Sequence, residues 1–239
     1  MLKIENCEVV GWEHAIRGMR NPMNSWEKSD SYFSDCSGTD CDYCKQYNPN
    51  CNPLFAMGFI GPNDHDLMMK LRDAGTDHRK FMRMIIVYLD ITAPLYWFKE
   101  FDTYKVGTVA NSCSTMHKIQ AKEFTLDDFS HEHIKNFYGF TRIPNDHEIA
   151  LFENGFRSTI ADLNAARELY LQTGDKQYWW QMIQLLPSSY NQKRTVMLNY
   201  EVLANIYKSR RNHKLDEWHV MCDWIEQLPY SELITGNEE

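Results

Sequence analysis

The chain has 239 residues, 43% of them hydrophobic, which is enough apolar mass for a sizeable core and too much for a globally disordered segment. A formal charge of -8, with 25 Lys and Arg residues scattered along the chain, excludes the basic stripe that a DNA or RNA polymer requires. No apolar run reaches the length of a membrane span, and Met1-Leu2-Lys3-Ile4-Glu5 opens without a signal-peptide pattern, so a cytoplasmic protein with no membrane partner is expected.

In chain order, the first candidate site is Asn21-Pro22-Met23-Asn24-Ser25-Trp26, flanked by Arg17, Arg20 and Lys28. Such a segment offers Arg20 and Lys28 to a phosphate while Trp26 stacks on a ring; the alternative is that Trp26 packs a loop on the core. Next, Cys36, Cys41, Cys44 and Cys51 fall within sixteen residues, in a stretch rich in Ser, Gly, Asn, Asp and Pro. This reads as a Cys-rich loop inserted around 34-53 in an otherwise single domain over 1-239. Four thiolates match a structural zinc site in number, although only one Cys-x-x-Cys pair is present; reduced thiols in a surface loop are the other reading.

Beyond the loop, Leu67 and Leu71 lie at helical spacing between Asp64 and Ala74, with Gly75 placed to end the helix. His78 enters the strand Phe81 to Ile91, whose run Met84 to Leu89 predicts burial on both faces. Pro94 suits the first turn of a helix through Phe98 and Phe101. Thr125 and Asp128 form a capping-box pattern, while His131 and His133, two apart, do not share a helix face. Apolar spacing predicts one helix over Asp146 to Thr173, ended by Gly174, and a second holding Tyr178, Met182 and Leu185 that stops at Pro187. A third is expected from Ser189 to about Arg211, with Asn199 and Arg210 on the stripe of Val202, Leu203 and Ile206, and a fourth from Leu215 burying Trp218, Cys222 and Ile225. An α+β fold follows, with strands in the first half, helices in the second and a mixed sheet packed with long helices.

An arginine on an apolar stripe calls for an anionic partner, either a protein carboxylate or a ligand phosphate; Arg210 and Arg211 also suit the negative end of the helix dipole. Glu201, Asn205 and Lys208 form a separate stripe, on which Glu201 and Lys208 read as a solvated, ion-paired face. His78 fits a capping or packing role as well as a ligand contact. Ser114 has no His/Asp arrangement to make it a nucleophile and fits a hydroxyl that binds ligand.

The order His78, Phe81, Met84 to Leu89, Ala93-Pro94, Tyr96-Trp97-Phe98 and Asn111-Ser112-Cys113-Ser114, together with Leu186-Pro187 through Glu217, resembles the flavin-dependent thymidylate synthases, also called thymidylate synthase complementing proteins. The resemblance implies their α/β-type fold, a homotetramer, FAD as cofactor, and NADPH and methylenetetrahydrofolate as co-substrates in the methylation of dUMP to dTMP, or a related C5 modification of a pyrimidine nucleotide. It also implies nucleotide contacts at Ser114 and Arg210 and flavin contacts at His78, Lys105, Asn199 and Asn205. The pattern departs from the family at several cationic positions. Its Arg-His-Arg signature falls on Thr103-Tyr104-Lys105, a nucleotide-binding arginine falls on Met116, another on Ile183, and a flavin-contacting arginine on Glu201. Either other cations have moved in, or the chain is a non-catalytic nucleotide-binding or scaffold homologue that has lost the flavin chemistry.

Overall fold

The computed structural model describes residues 2–33, 59–135, 137–138, 149–150 and 152–236. Cys36, Cys41, Cys44 and Cys51 lie outside the described residues, among which no group of three or more His, Cys, Asp or Glu side chains is placed to hold a metal. No described helix is long and apolar enough to cross a membrane.

A four-stranded sheet has the order β1-β2-β6-β3, formed by β1 (Lys3–Val10), β2 (Ile86–Pro94), β6 (Asn191–Asn199) and β3 (Val109–Ser112). A separate two-stranded sheet pairs β4 (Phe137–Tyr138) antiparallel with β5 (Ile149–Ala150). Within the larger sheet, the Tyr200 amide donates to the Ile85 carbonyl at 3.1 Å and Thr195 Oγ1 donates to Asp90 at 2.6 Å, so β2 and β6 run antiparallel. Eight α-helices are described: α1 (Trp12–Arg20), α2 (Pro62–Asp73), α3 (Leu95–Phe101), α4 (Phe152–Thr173), α5 (Lys176–Leu185), α6 (Tyr200–Arg210), α7 (Asp216–Glu226) and α8 (Glu232–Thr235). The α+β class expected from the sequence is the one observed.

β6 overturns two expectations, because the predicted helix from Ser189 to Arg211 is a strand followed by a helix, and strands are not confined to the first half. Val196 and Leu198 are buried at period two, and the strand is held by β2, a long-range partner that no local pattern announces. The segment before β2 also differs. Arg79–Met84 form a 3-10 turn that buries Phe81 and Met82, and β2 alternates, with Val87, Leu89 and Ile91 inside and Tyr88 exposed. It is therefore not buried along both faces. In α2 the buried positions are Asp64 and Met68, while Leu67 and Leu71 are half-buried.

The chain divides into two compact units, and the boundary falls within β2, β3 and β6. Residues 92–101 and 112–193 make up the first. Its core gathers Ile119, Phe124, Phe129, Leu163 and Met182 between α4 and α5, with Phe156 and Tyr190 at the edge. Its expected helices are present, although α4 begins at Phe152, which is exposed, and the capping box of Thr125 and Asp128 closes a short 3-10 turn. Gly174, at φ +68, stops α4 with its amide on the Tyr170 carbonyl. A ring nitrogen of His131 lies 2.9 Å from the Phe129 carbonyl.

Residues 2–91, 102–111 and 194–239 make up the second unit. Here α1, α6 and the 3-10 turn pack together, and α6 also meets α7 and α8. Trp12 sets its ring edge-on to Tyr200 at 5.2 Å. The fully buried Asp64 organises the entry to α2: Arg20 Nε donates to Oδ1 at 2.6 Å, while the Ser29 and Ser31 hydroxyls and the Asp30 and Ser31 amides donate to Oδ2. Asp30 in turn accepts the Asn63 and Asp64 amides, satisfying donors that the first turn of a helix leaves open.

Burial acts to raise the Asp64 carboxyl, and hydrogen bonds from Ser31, Ser29 and Arg20 outweigh it, holding the group below its ordinary range. A depressed folded pKa stabilises the native state above the unfolded value and ceases to do so as pH falls through the folded value. Stability is therefore expected to fall with acidification below the ordinary aspartate range, and Asp64→Asn is expected to flatten that loss. Asp64→Ala, which strands Arg20, is expected to cost about 3 to 5 kcal/mol in urea denaturation.

Candidate functional site

The polar residues singled out in the C-terminal half are arranged along α6, in the second unit. Asn199 ends β6 and caps α6: its backbone is extended, and Oδ1 accepts the Val202 amide at 3.0 Å. It is buried like Val202, Leu203 and Ile206, and it stands at the residue just before the helix rather than inside it. Its amide nitrogen faces the turn Lys105 to Thr108. That turn has Gly107 at φ +83, and a Cβ there would lie 2.8 Å from Asn199 Nδ2 and 3.2 Å from Val202 Cγ2. Lys105 is exposed on the turn that Asn199 and Gly107 bring against the start of α6.

Two residues after Asn199, Glu201 corrects the expectation of a solvated face, because only 7% of it is exposed. Two arginines on the 3-10 turn converge on it: Arg79 Nε lies 3.4 Å from Oε1, Arg83 Nη2 lies 3.2 Å from Oε1, and Arg83 Nε donates to Oε2. Burial acts to raise this carboxyl, but hydrogen bonding and charge from Arg83, followed by Arg79, hold it below the ordinary range. Arg79 also donates through Nη2 to Asn205 Oδ1 at 3.2 Å. With that oxygen engaged, the exposed Asn205 amide turns its N–H donors away from Arg79. His78 is exposed immediately before Arg79, so the structure links His78 and Asn205 through a residue that the sequence pattern passed over.

At the far end of α6, Arg210 donates through Nε to the Tyr104 hydroxyl at 3.0 Å. Its guanidinium sits 4.8 Å over the Trp218 ring and 5.7 Å from that of Tyr104. The rings orient a planar cation. Tyr104 occupies the middle of the segment where the family resemblance places a histidine. Thus the loop from Tyr104 to Gly107 meets α6 at both ends and brings Lys105, Asn199 and Arg210 into one loop-helix frame.

The remaining predicted residues are placed elsewhere. Arg20 is turned inward, 4% exposed, bonded to Asp64 and to the Ser25 carbonyl and hydroxyl. Its charge is engaged within the fold. Lys28 is exposed on the turn Trp26–Lys28, and the Trp26 indole donates to Asn21 at 2.7 Å. Ser114 belongs to the first unit, exposed, with its hydroxyl accepting the Met116 and His117 amides. The residues that sequence reasoning missed are Arg79, Arg83, Tyr104 and Trp218. Only the cationic run His78-Arg79-Lys80 with Arg83 gave a local signal; the aromatic support of Arg210 required the fold.

The fold is that of the flavin-dependent thymidylate synthases. Thymidylate synthase X from Helicobacter pylori, crystallised with FAD and dUMP, is 14% identical, with a TM-score of 0.62 over 98% of each chain. A second structure of that enzyme complexed with FAD and dUMP gives the same identity and TM-score over 100% of this chain and 99% of that one. The UMP/dUMP methylase PolB from Streptomyces cacaoi, bound with 5-Br dUMP, is 12% identical, with a TM-score of 0.56 over 98% of this chain and 95% of that one. No family model matches the sequence. No curated protein matches it either.

Two substitutions test the loop-helix frame. Gly107→Ala places a methyl against Asn199 in a left-handed backbone and is expected to cost at least about 1 to 2 kcal/mol. Asn199→Ala removes the α6 cap and is expected to cost about 0.5 to 2 kcal/mol, both read by thermal or urea denaturation.

Proposed function

We propose that this chain is a pyrimidine nucleotide-modifying enzyme of the thymidylate synthase X type, which binds FAD and dUMP and transfers a one-carbon unit to C5 of the base. The observation that carries the reading is the α6 frame: Asn199, Asn205 and Arg210, with the loop Tyr104 to Gly107, lie on the fold shared with FAD- and dUMP-bound Helicobacter pylori thymidylate synthase X. In this reading methylenetetrahydrofolate is the carbon donor, NADPH the reductant and dTMP the product. Bound FAD supplies hydride chemistry that amino-acid side chains lack. A homotetramer in the cytoplasm belongs to the same proposal.

The donor set suits these ligands. Arg210, oriented by Tyr104 and Trp218, is the cation assigned to the phosphate of the nucleotide, and its aromatic support reduces the freedom lost on binding. His78, Lys105 and Asn205 offer exposed hydrogen-bonding groups to the flavin. Asn199 acts by positioning the turn that carries Lys105, since its own oxygen is engaged by the cap. Ser114 is assigned to the nucleotide by family resemblance alone. Arg20 is left out because Asp64 holds it.

A second reading, nucleotide binding without flavin chemistry, is favoured by Glu201, whose carboxylate stands where the family pattern has a flavin-contacting arginine. The two readings separate in one experiment. The purified chain supplemented with FAD is expected to show bound-flavin absorption bands and to melt at a higher temperature with dUMP. Arg210→Ala is expected to lose the dUMP effect by roughly tenfold in affinity while keeping flavin uptake. Stabilisation by dUMP without flavin uptake selects the second reading, and neither response refutes both.

A further inference from the structure

The ion cluster at the start of α6 contains more positive charge than its carboxylate neutralises. Glu201 is one anion, and Arg79 and Arg83 are two cations bonded to it. A buried carboxylate needs a single well-placed guanidinium to balance its charge. The second leaves a local excess of positive charge in a chain whose formal charge is -8. Lys80 and His78 are exposed on the same stretch, and Asp77 is the acidic neighbour that acts on Arg83.

The arginines are also held in fixed directions. Phe81 and Met82, between them in sequence, are buried and anchor the 3-10 turn, and the turn packs on α6. Glu201 takes Nε and Nη2 of Arg83 and Nε of Arg79, and Asn205 takes Nη2 of Arg79. A guanidinium carries five N–H donors, so both groups retain donors beyond these bonds, and the Arg83 side chain is 52% exposed. Planar donors already oriented by a carboxylate lose little freedom when they meet phosphoryl oxygens.

We infer that Arg79 and Arg83, oriented by Glu201 and Asn205, form a binding site for a diphosphate, the diphosphate bridge of the flavin dinucleotide. This rests on the flavin reading above and supplies the cation that the departure at Glu201 removes. The positive charge has moved from α6 to the 3-10 turn packed against it, and the acid at position 201 has become a positioning residue. Two guanidiniums match two phosphoryl groups in charge, whereas the single Arg210 matches a monophosphate.

The test is a titration of the full chain with FAD, FMN and riboflavin, followed by flavin fluorescence, and with inorganic pyrophosphate, followed by melting temperature. Arg83→Ala and Arg79→Ala are each expected to weaken FAD by roughly tenfold and leave riboflavin unchanged, with FMN between them. Arg83→Lys, which keeps the charge and loses the fork, recovers part of that loss. Glu201→Gln is expected to weaken FAD more than riboflavin because it releases both arginines. Pyrophosphate raises the melting temperature of the wild type and not that of Arg83→Ala. The inference is overturned if Arg83→Ala keeps wild-type FAD affinity, or if it weakens FAD and riboflavin equally, which is the signature of a structural role. A wild-type chain that takes up none of the three flavins refutes the flavin reading instead. The pyrophosphate arm then decides the anion site by itself: no stabilisation of the wild type overturns it.

Discussion

The junction at Asn199 is the constraint on which the rest of the candidate site depends. A central strand must stop there and a helix must begin, and one side chain serves both needs by accepting the Val202 amide in the first turn of α6. Because Asn199 is buried, the cap is shielded from water, and its other face meets the one residue type that leaves room for it, Gly107. Everything assigned to ligand binding in the second unit is referred to this point. Glu201 lies just inside the helix, Asn205 one turn beyond, and Arg210 at its end, beside the loop that Gly107 closes.

Charge along α6 is balanced by partners distant in sequence. An acid at position 201 would repel an anionic ligand if it stood alone, yet it is buried under two arginines and becomes part of a cationic group. Tyr104 shows the same displacement of role: in a segment where the family resemblance calls for cations, it supplies a hydroxyl and a ring that aim Arg210.

Much of the architecture was legible because it follows local rules. Gly174 ending α4, Thr125 paired with Asp128, and the buried face of Trp218, Cys222 and Ile225 on α7 all appear where periodicity and capping chemistry put them. The error at β6 has a tertiary cause. The helix expected across Asn191 to Asn199 gives way to a strand because hydrogen bonding to β2 and β3 holds it extended. In α2, by contrast, Leu67 and Leu71 lie on the face that their spacing indicated, and the same face carries Asp64 and Met68, which are its most buried positions because the carboxylate gathers five donors.

By itself, the sequence determined the α+β class through residue type and spacing, which a linear chain carries openly. Its resemblance to the flavin-dependent thymidylate synthases supplied the candidate Asn and Arg positions and the expected departures at several cationic ones. Which residues balance which charges was decided only by the tertiary structure. Arg79 and Glu201 are 122 positions apart and Arg210 and Tyr104 are 106 apart, so no local rule relates them. Their partnership exists because the 3-10 turn and the loop from Tyr104 to Gly107 are each packed against one helix, and Coulomb attraction at contact distance does the rest.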